Sequence, residues 1–250
     1  MFATLKSEFR KLLTVRSTYI TIGIVLALVA FYSFYIEGFK ATHNATGVVV
    51  NPDKLASEVT GAMQAVGVLI SLVGLLLMSH EYRYNTIMYT LTQSRSRTKA
   101  LLAKILTVSA FAVAMSLLVA ALAPLMTSLG LHAKGLTLAH QTFPIWSLAW
   151  RAVFYGWGLA MAGLLFAALL RNQIAAIVVL FFVPGTVEAL LGLLLKKSAA
   201  YLPFTDLMGV LQHSAERTVM SYGRAALIYL AYIVGSWIVA WVLFVRRDAN

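Results

Sequence analysis

Six stretches of this chain are long and apolar enough to cross a lipid bilayer as helices. Five of them, Thr18–Ile36, Gly61–Ser79, Ile105–Leu131, Ala152–Leu170 and Ala225–Val245, contain no Asp, Glu, Lys or Arg. The sixth, Asn172–Leu195, is uncharged as far as Val187 and then meets Glu188. Hydrocarbon offers no water to backbone N–H and C=O groups, so a spanning segment must pair them internally, and about 20 apolar residues in a helix do so. The expected fold is therefore an all-α membrane protein with six transmembrane helices. These spans take up so much of the 250 residues that a single transmembrane domain, 1–250, leaves no room for a soluble one.

Composition agrees. Charged residues make up 12% of the chain, where soluble domains carry roughly a quarter. A formal charge of +11 raises the question of nucleic acid, but basic residues strung between apolar runs serve topology and anionic lipid headgroups, so lipid and no nucleic acid is the expectation. With no cysteine, thiolate metal sites and cysteine nucleophiles are excluded.

Orientation follows from Lys and Arg, which are retained on the cytoplasmic side of short loops. One side collects Lys6, Arg10, Lys11 and Arg16, then Arg83, Arg95, Arg97, Lys99 and Lys104, then Arg171, Arg246 and Arg247. The other side has Lys40, Lys54, Lys134, Arg151, Lys196, Lys197, Arg217 and Arg224, spread over longer loops. Both termini and the segment His80–Lys104 are thus expected in the cytoplasm of a cell (inner) membrane protein.

The first apolar run is too long for a signal peptide and is followed by no small-x-small cleavage site, so it reads as a retained span. Ahead of it, Phe2, Leu5, Phe9, Leu12 and Leu13 recur at helical spacing, with Lys6, Glu8, Arg10 and Lys11 between them. This pattern predicts an amphipathic interfacial helix over residues 1–17. Between the last two spans, Glu188–Tyr222 is too apolar for a wet loop and predicts short outer helices.

Chemical motifs are few. His80-Glu81 begins like a zinc-protease helix, but Tyr82-Arg83-Tyr84 follow where a second histidine is needed, so no metal is implied. No phosphate-cradling Gly-rich loop and no Gly-x-Ser-x-Gly elbow is present, so neither ATP hydrolysis nor acyl transfer is expected of this chain. Glu188, an acid within an apolar stretch just after Pro184-Gly185, is a candidate for a transport pathway or outer gate.

The segment after the second span carries the most specific pattern: Glu81, then Asn85-Thr86, an apolar stretch through Ile87, Met88, Tyr89 and Leu91, then Ser94-Arg95-Ser96-Arg97, and Lys104 opening the third span. It resembles the membrane subunit of ABC type-2 exporters, which show an acid, Gly-Thr, an apolar stretch, a Pro-x-Ser-Arg-like turn and a Lys at this place. Glu81, Thr86, Leu91, Ser96, Arg97 and Lys104 match, whereas Asn85 stands for the glycine and Ser94 for the proline. Both replacements are turn-tolerant residues.

The resemblance implies a permease that binds no cofactor itself. It pairs with a second copy or a similar permease and works with a cytosolic ABC ATPase that holds ATP and Mg. The loop 80–104 would be the coupling element, with Glu81, Tyr82, Arg83, Thr86, Tyr89, Leu91, Arg95, Arg97 and Lys104 at or near the contact. An apolar lining would suit export of a drug, lipid or peptide of hydrophobic or amphipathic character. Two other classes remain open, a secondary transporter and a membrane-embedded enzyme. The first would show buried acids or interrupted helices in repeated halves, and the second convergent polar groups within spans.

Overall fold

The computed structural model describes residues 2–51, 53–94, 96–140, 144–212 and 221–246. Among them every regular element is helical; one isolated bridge, His43 with Val49, lies within the loop after the first span, and another, Val48 with Thr137, joins that loop to the one after the third.

Six helical segments are long and apolar enough to cross a membrane: Arg16–Phe39, Lys54–Arg83, Arg97–His132, Ile145–Leu170, Gln173–Tyr201 and Tyr222–Arg246. A helix α1, Phe2–Thr14, precedes them and is separated from span 1 by the extended residue Val15. Span 1 is α2, Arg16–Phe31, continued as a π-helical stretch Tyr32–Phe39. Spans 2, 3 and 4 are α3 (Lys54–Arg83), α5 (Arg97–His132) and α6 (Ile145–Leu170), with α4 (Ile87–Ser94) between spans 2 and 3. In span 5, α7 (Gln173–Phe182) passes through a π turn at Val183–Val187 into α8 (Glu188–Leu195). Then come α9 (Pro203–Leu211) and the last span, α10 (Tyr222–Arg246).

The spans run past the windows expected from hydropathy, most of all at the charged ends. Span 2 starts at Lys54 rather than Gly61 and ends at Arg83, and span 3 starts at Arg97 rather than Ile105. The expected loop 80–104 is accordingly shorter. Glu81 and Lys104 lie inside helices, and only Tyr84–Ser96 separates the two spans. Charged residues can stay helical there because they meet partners, as described below. Asn85 turns the chain out of span 2 in a left-handed conformation (φ 53°). Its N–H donates to the Tyr82 carbonyl (3.3 Å) and that of Thr86 to the Glu81 carbonyl (2.9 Å), the Schellman pattern that ends helices. Glycine takes this backbone region most readily and asparagine next, so Asn85 can fill a glycine position.

Spans 2 and 4 form the centre. Val66, Ile70, Met63, Leu75 and Met78 of span 2 and Leu159, Ala160 and Leu164 of span 4 are fully or almost fully buried in one apolar core. Spans 1, 5 and 6 bury far fewer residues and leave Ile20, Ile24, Phe31, Ile174, Phe182, Leu227 and Ile238 on the outside. Apolar side chains facing outward are what a bilayer, as solvent, accepts.

The π-helical end of span 1 lies backbone to backbone against span 3. A Cβ on Gly38 would lie 2.8 Å from the Thr127 carbonyl oxygen and 2.9 Å from Gly130 Cα, and one on Gly130 would clash with the Phe34 carbonyl oxygen. The Thr127 hydroxyl donates to the Ser33 carbonyl at 3.0 Å, which takes up an acceptor in the widened helix. Substituting Gly130→Ala should destabilise the protein by about 1–3 kcal/mol, because backbone cannot yield as a side chain does. A lowered thermal midpoint of the detergent-purified protein is the readout, and an unchanged one would show that the two helices can part freely here.

Candidate functional site

Four charges from distant parts of the chain meet where α1, span 2, α4 and span 3 converge. The Lys104 ammonium lies 2.8 Å from one oxygen of Glu8 and 2.7 Å from Glu81 Oε1. Lys11 closes the ring, 2.6 Å from the other oxygen of Glu8 and 2.6 Å from Glu81 Oε1. Thr90 of α4 accepts from Lys11 at 3.0 Å and donates to Glu81 at 3.0 Å. Glu8 and Lys104 are 0% exposed, Glu81 and Thr90 are buried, and only Lys11 reaches solvent.

Two ammonium groups and two carboxylates alternate, so the cluster carries no net charge and each ion has two opposite neighbours. Such mutual pairing is the condition under which buried ions are tolerated, since an unpaired one faces a desolvation penalty of several kcal/mol. Burial alone lowers the pKa of Lys11, but the Glu81 and Glu8 carboxylates outweigh it and hold the group above the usual 10.5.

Of the residues expected at a coupling contact, Glu81 and Lys104 are thus interior and touch each other. Thr86 is exposed, and its N–H serves the helix end. Leu91 and Tyr82 pack on the apolar core, with the Arg171 guanidinium 5.8 Å over the Tyr82 ring. Arg83 donates to Gln173 at the start of span 5 (3.2 Å). Arg97 donates to the Val245 carbonyl at the end of span 6 (3.0 Å), which favours a cation beside the helix C-terminus. Beside it, the Trp241 indole N–H donates to the Thr98 hydroxyl (3.1 Å). Arg95 lies outside the described residues, as does Arg247. What α4 offers outward is Met88, Tyr89 (78% exposed) and Thr92.

Glu8 and Lys11 were not among the expected site residues. Of the apolar stripe expected on α1, Leu12 is buried, Leu5 and Phe9 are half-buried and Leu13 is exposed, while Thr4 and Glu8 take the other inward positions. One signal was available: Glu8 is the sole acid before Glu37, set among Lys6, Arg10, Lys11 and Arg16.

A cavity of about 670 Å³ adjoins the ion cluster, bounded by Lys11, Arg16, Thr21, Leu77, His80, Tyr84 and Tyr89. A second, of about 550 Å³, lies between spans 2, 4 and 5 and α9, with Gln64, Tyr155, Phe181, Phe204 and Thr205 on its walls. Glu188 does not line the second cavity. Its carboxylate accepts from the N–H groups of Phe204 (2.9 Å) and Thr205 (2.6 Å) and from the Thr205 hydroxyl (2.9 Å). Those two N–H groups are the ones a helix N-cap side chain normally satisfies, and Leu202, at the cap of α9, has none to offer. Glu188 therefore holds α9, and with it Phe204 and Thr205, against span 5.

Residues 22–249 match the model of a family described as a protein of unknown function, DUF2705. The chain belongs to this family. No curated protein matches it. The match to the family takes in Glu81, Thr90, Lys104 and Glu188, while Glu8 and Lys11 precede it.

Two outcomes follow for the ion cluster. Lys104→Met should destabilise the protein by about 3–5 kcal/mol by leaving two buried carboxylates to share the single cation Lys11, and combining it with Glu8→Gln should cost less than the two single changes added together. Additive losses in thermal unfolding would show that the ions act separately. Because the pKa of Lys11 is raised on folding, its contribution is fully present below 10.5 and is lost as pH rises through the higher folded value. The thermal midpoint of the wild type should fall more steeply in that alkaline range than that of Lys11→Gln.

Proposed function

We propose that this protein is the permease subunit of an ATP-driven exporter of the ABC type-2 kind, and that α4 is the element a separate cytosolic ATPase pushes. The observation that carries the reading is the placement of Thr90. It ties a short helix, bearing an exposed Met88-Tyr89 surface, into the same ion cluster as α1, span 2 and span 3. Force applied to α4 from outside would pass into three membrane elements through bonds that do not slide.

On this reading both termini and α4 are cytoplasmic, in a cell inner membrane, and α1 lies along the membrane surface. The helices α8 and α9 then belong to the outer half, where Glu188 braces them. ATP and Mg stay on the partner. The sparsely buried spans 1, 5 and 6 offer faces for lipid and for a second permease copy or a similar permease. The α9 cavity, walled by aromatic and amide side chains, suits a hydrophobic or amphipathic cargo such as a drug, lipid or peptide.

Tyrosine and methionine are effective anchors in grooves, and an exposed anchor of this kind contributes on the order of 1–2 kcal/mol to binding. The test is co-purification of an ATP-hydrolysing subunit with the tagged chain. Tyr89→Asp together with Met88→Asp should reduce its recovery by roughly tenfold or more while leaving the thermal midpoint of the permease unchanged. Undiminished recovery would remove α4 as the docking element. Ion-gradient-driven transport by the chain alone, without ATP, would select a secondary transporter instead, and turnover of lipid by the chain alone a membrane enzyme.

A further inference from the structure

At the end of span 2 opposite the ion cluster lies a second buried acid, and it is handled in the contrary way. Glu58 is separated from Glu81 by ~34 Å along the helix axis at 1.5 Å per residue, so the two acids bracket a hydrocarbon thickness of about 30 Å. Glu58 is 0% exposed, and neither carboxyl oxygen has a hydrogen-bond partner in the protein. The hydroxyl of Ser33, also 0% exposed, has none either.

The charged and titratable groups that act on Glu58 are few. Lys54, one turn before it on the same helix, is within electrostatic reach but forms its ion pair with Glu37 of span 1. Tyr32, from the π-helical part of span 1, also donates to Glu37, at 2.9 Å. Span 3 brings the hydroxyl of Thr127 to Glu58, and that hydroxyl donates to the Ser33 carbonyl. Span 4 has one charged residue, Arg151, whose guanidinium bonds the Ser147 carbonyl (3.0 Å) and lies 4.3 Å over the Tyr222 ring. Lys54, Tyr32 and Thr127 are thus bonded to Glu37 and to a backbone oxygen, and neither oxygen of Glu58 is within hydrogen-bond geometry of a donor.

An ionised carboxylate in that setting is the arrangement folded proteins avoid, by pairing the charge or by neutralising it. Pairing is absent here. Glu58 also lines none of the described cavities, and complete burial leaves no room for a metal ion or an ammonium group. A proton is the cation that fits.

We propose that Glu58 is a proton-binding site at the joint of spans 1, 2 and 3: its carboxyl is a neutral acid while these helices are packed together, and it gives up the proton when they part and water enters. The joint is suited to two discrete states. It rests on the Gly38–Gly130 backbone contact and the single Thr127–Ser33 bond between spans 1 and 3, which break together if span 1 moves off span 3, and on the Glu37–Lys54 ion pair between spans 1 and 2. Closing this end of the bundle then takes up one proton, and opening it releases one. The assignment stands apart from the ATPase reading, since it concerns the opposite end of the spans and needs no partner.

Infrared spectroscopy of the full-length protein in lipid at about pH 7 tests it. The wild type should show the C=O stretch of a protonated carboxylic acid. Glu58→Gln should lose that band, and Glu58→Asp, which keeps an acid at the site, should shift it. A second measurement follows from the linkage: a proton held by the packed state makes that state less stable as pH rises, so the wild-type thermal midpoint should decline with pH below the lysine range. Glu58→Gln should flatten this decline and should be no less stable than wild type near neutrality. If Glu58→Gln does not accumulate, the band shift in Glu58→Asp decides alone. A wild-type spectrum without such a band, or a band unchanged in both variants, overturns the proposal, as does a pH profile that Glu58→Gln leaves intact.

Discussion

The ion ring of Glu8, Lys11, Glu81 and Lys104 is the interaction on which the arrangement of this end of the molecule depends. Apolar contacts hold spans 2, 3 and 4 together, but they are non-directional and would let helices slide or rotate. Alternating charges at 2.6–2.8 Å fix register instead, because displacing any one of them takes a partner from two others. The ring explains why span 2 can continue helically to Arg83 and span 3 can begin at Arg97. Each extension carries its charge to a partner. It also explains why α1 is part of the bundle although Val15 separates it from span 1, and why α4 does not drift away from the spans it connects.

The same physical rule, that a polar group away from water must be satisfied, accounts for two further acids. Glu188 answers the free N–H groups of α9, and Glu37 answers Lys54 and Tyr32. Glu58 has no such answer, and it sits where span 1 has been widened into a π-helix to let Gly38 and Gly130 meet. One end of span 2 is thus cross-linked by a ring of four charges. The other joins span 1 through a single ion pair, Glu37 with Lys54, beside close-packed backbone and a carboxyl without a partner.

How far the site could be read from the chain varies residue by residue. Glu81 and Lys104 stood out because they flank a short polar segment between apolar runs, but nothing in their spacing says that they face inward and touch. Hydropathy assigns charged residues to loops, so both were expected at the surface. Glu188 was conspicuous as an acid in an apolar stretch; its task, capping a helix that starts many residues later, depends on a chain reversal that periodicity does not encode. Glu8 was hidden by its neighbours. Among Lys6, Arg10 and Lys11 it reads as part of a polar helix face, and the apolar pattern of α1, which leads to the buried Leu12, gives no sign that Glu8 is buried beside it. Glu58 fell just outside the expected start of span 2.

The sequence by itself determined that there are six spanning helices and where their centres lie, because a bilayer imposes length, apolarity and internal hydrogen bonding on each segment independently of the others. It also determined the turn at Asn85, a local backbone preference. Only the tertiary structure decided which charges meet. Glu8 with Lys104, Arg97 with the end of span 6 and Glu188 with α9 are pairings between residues far apart in the chain. Their energy depends on a few tenths of an ångström and on exclusion from water, and neither quantity exists until the helices have packed.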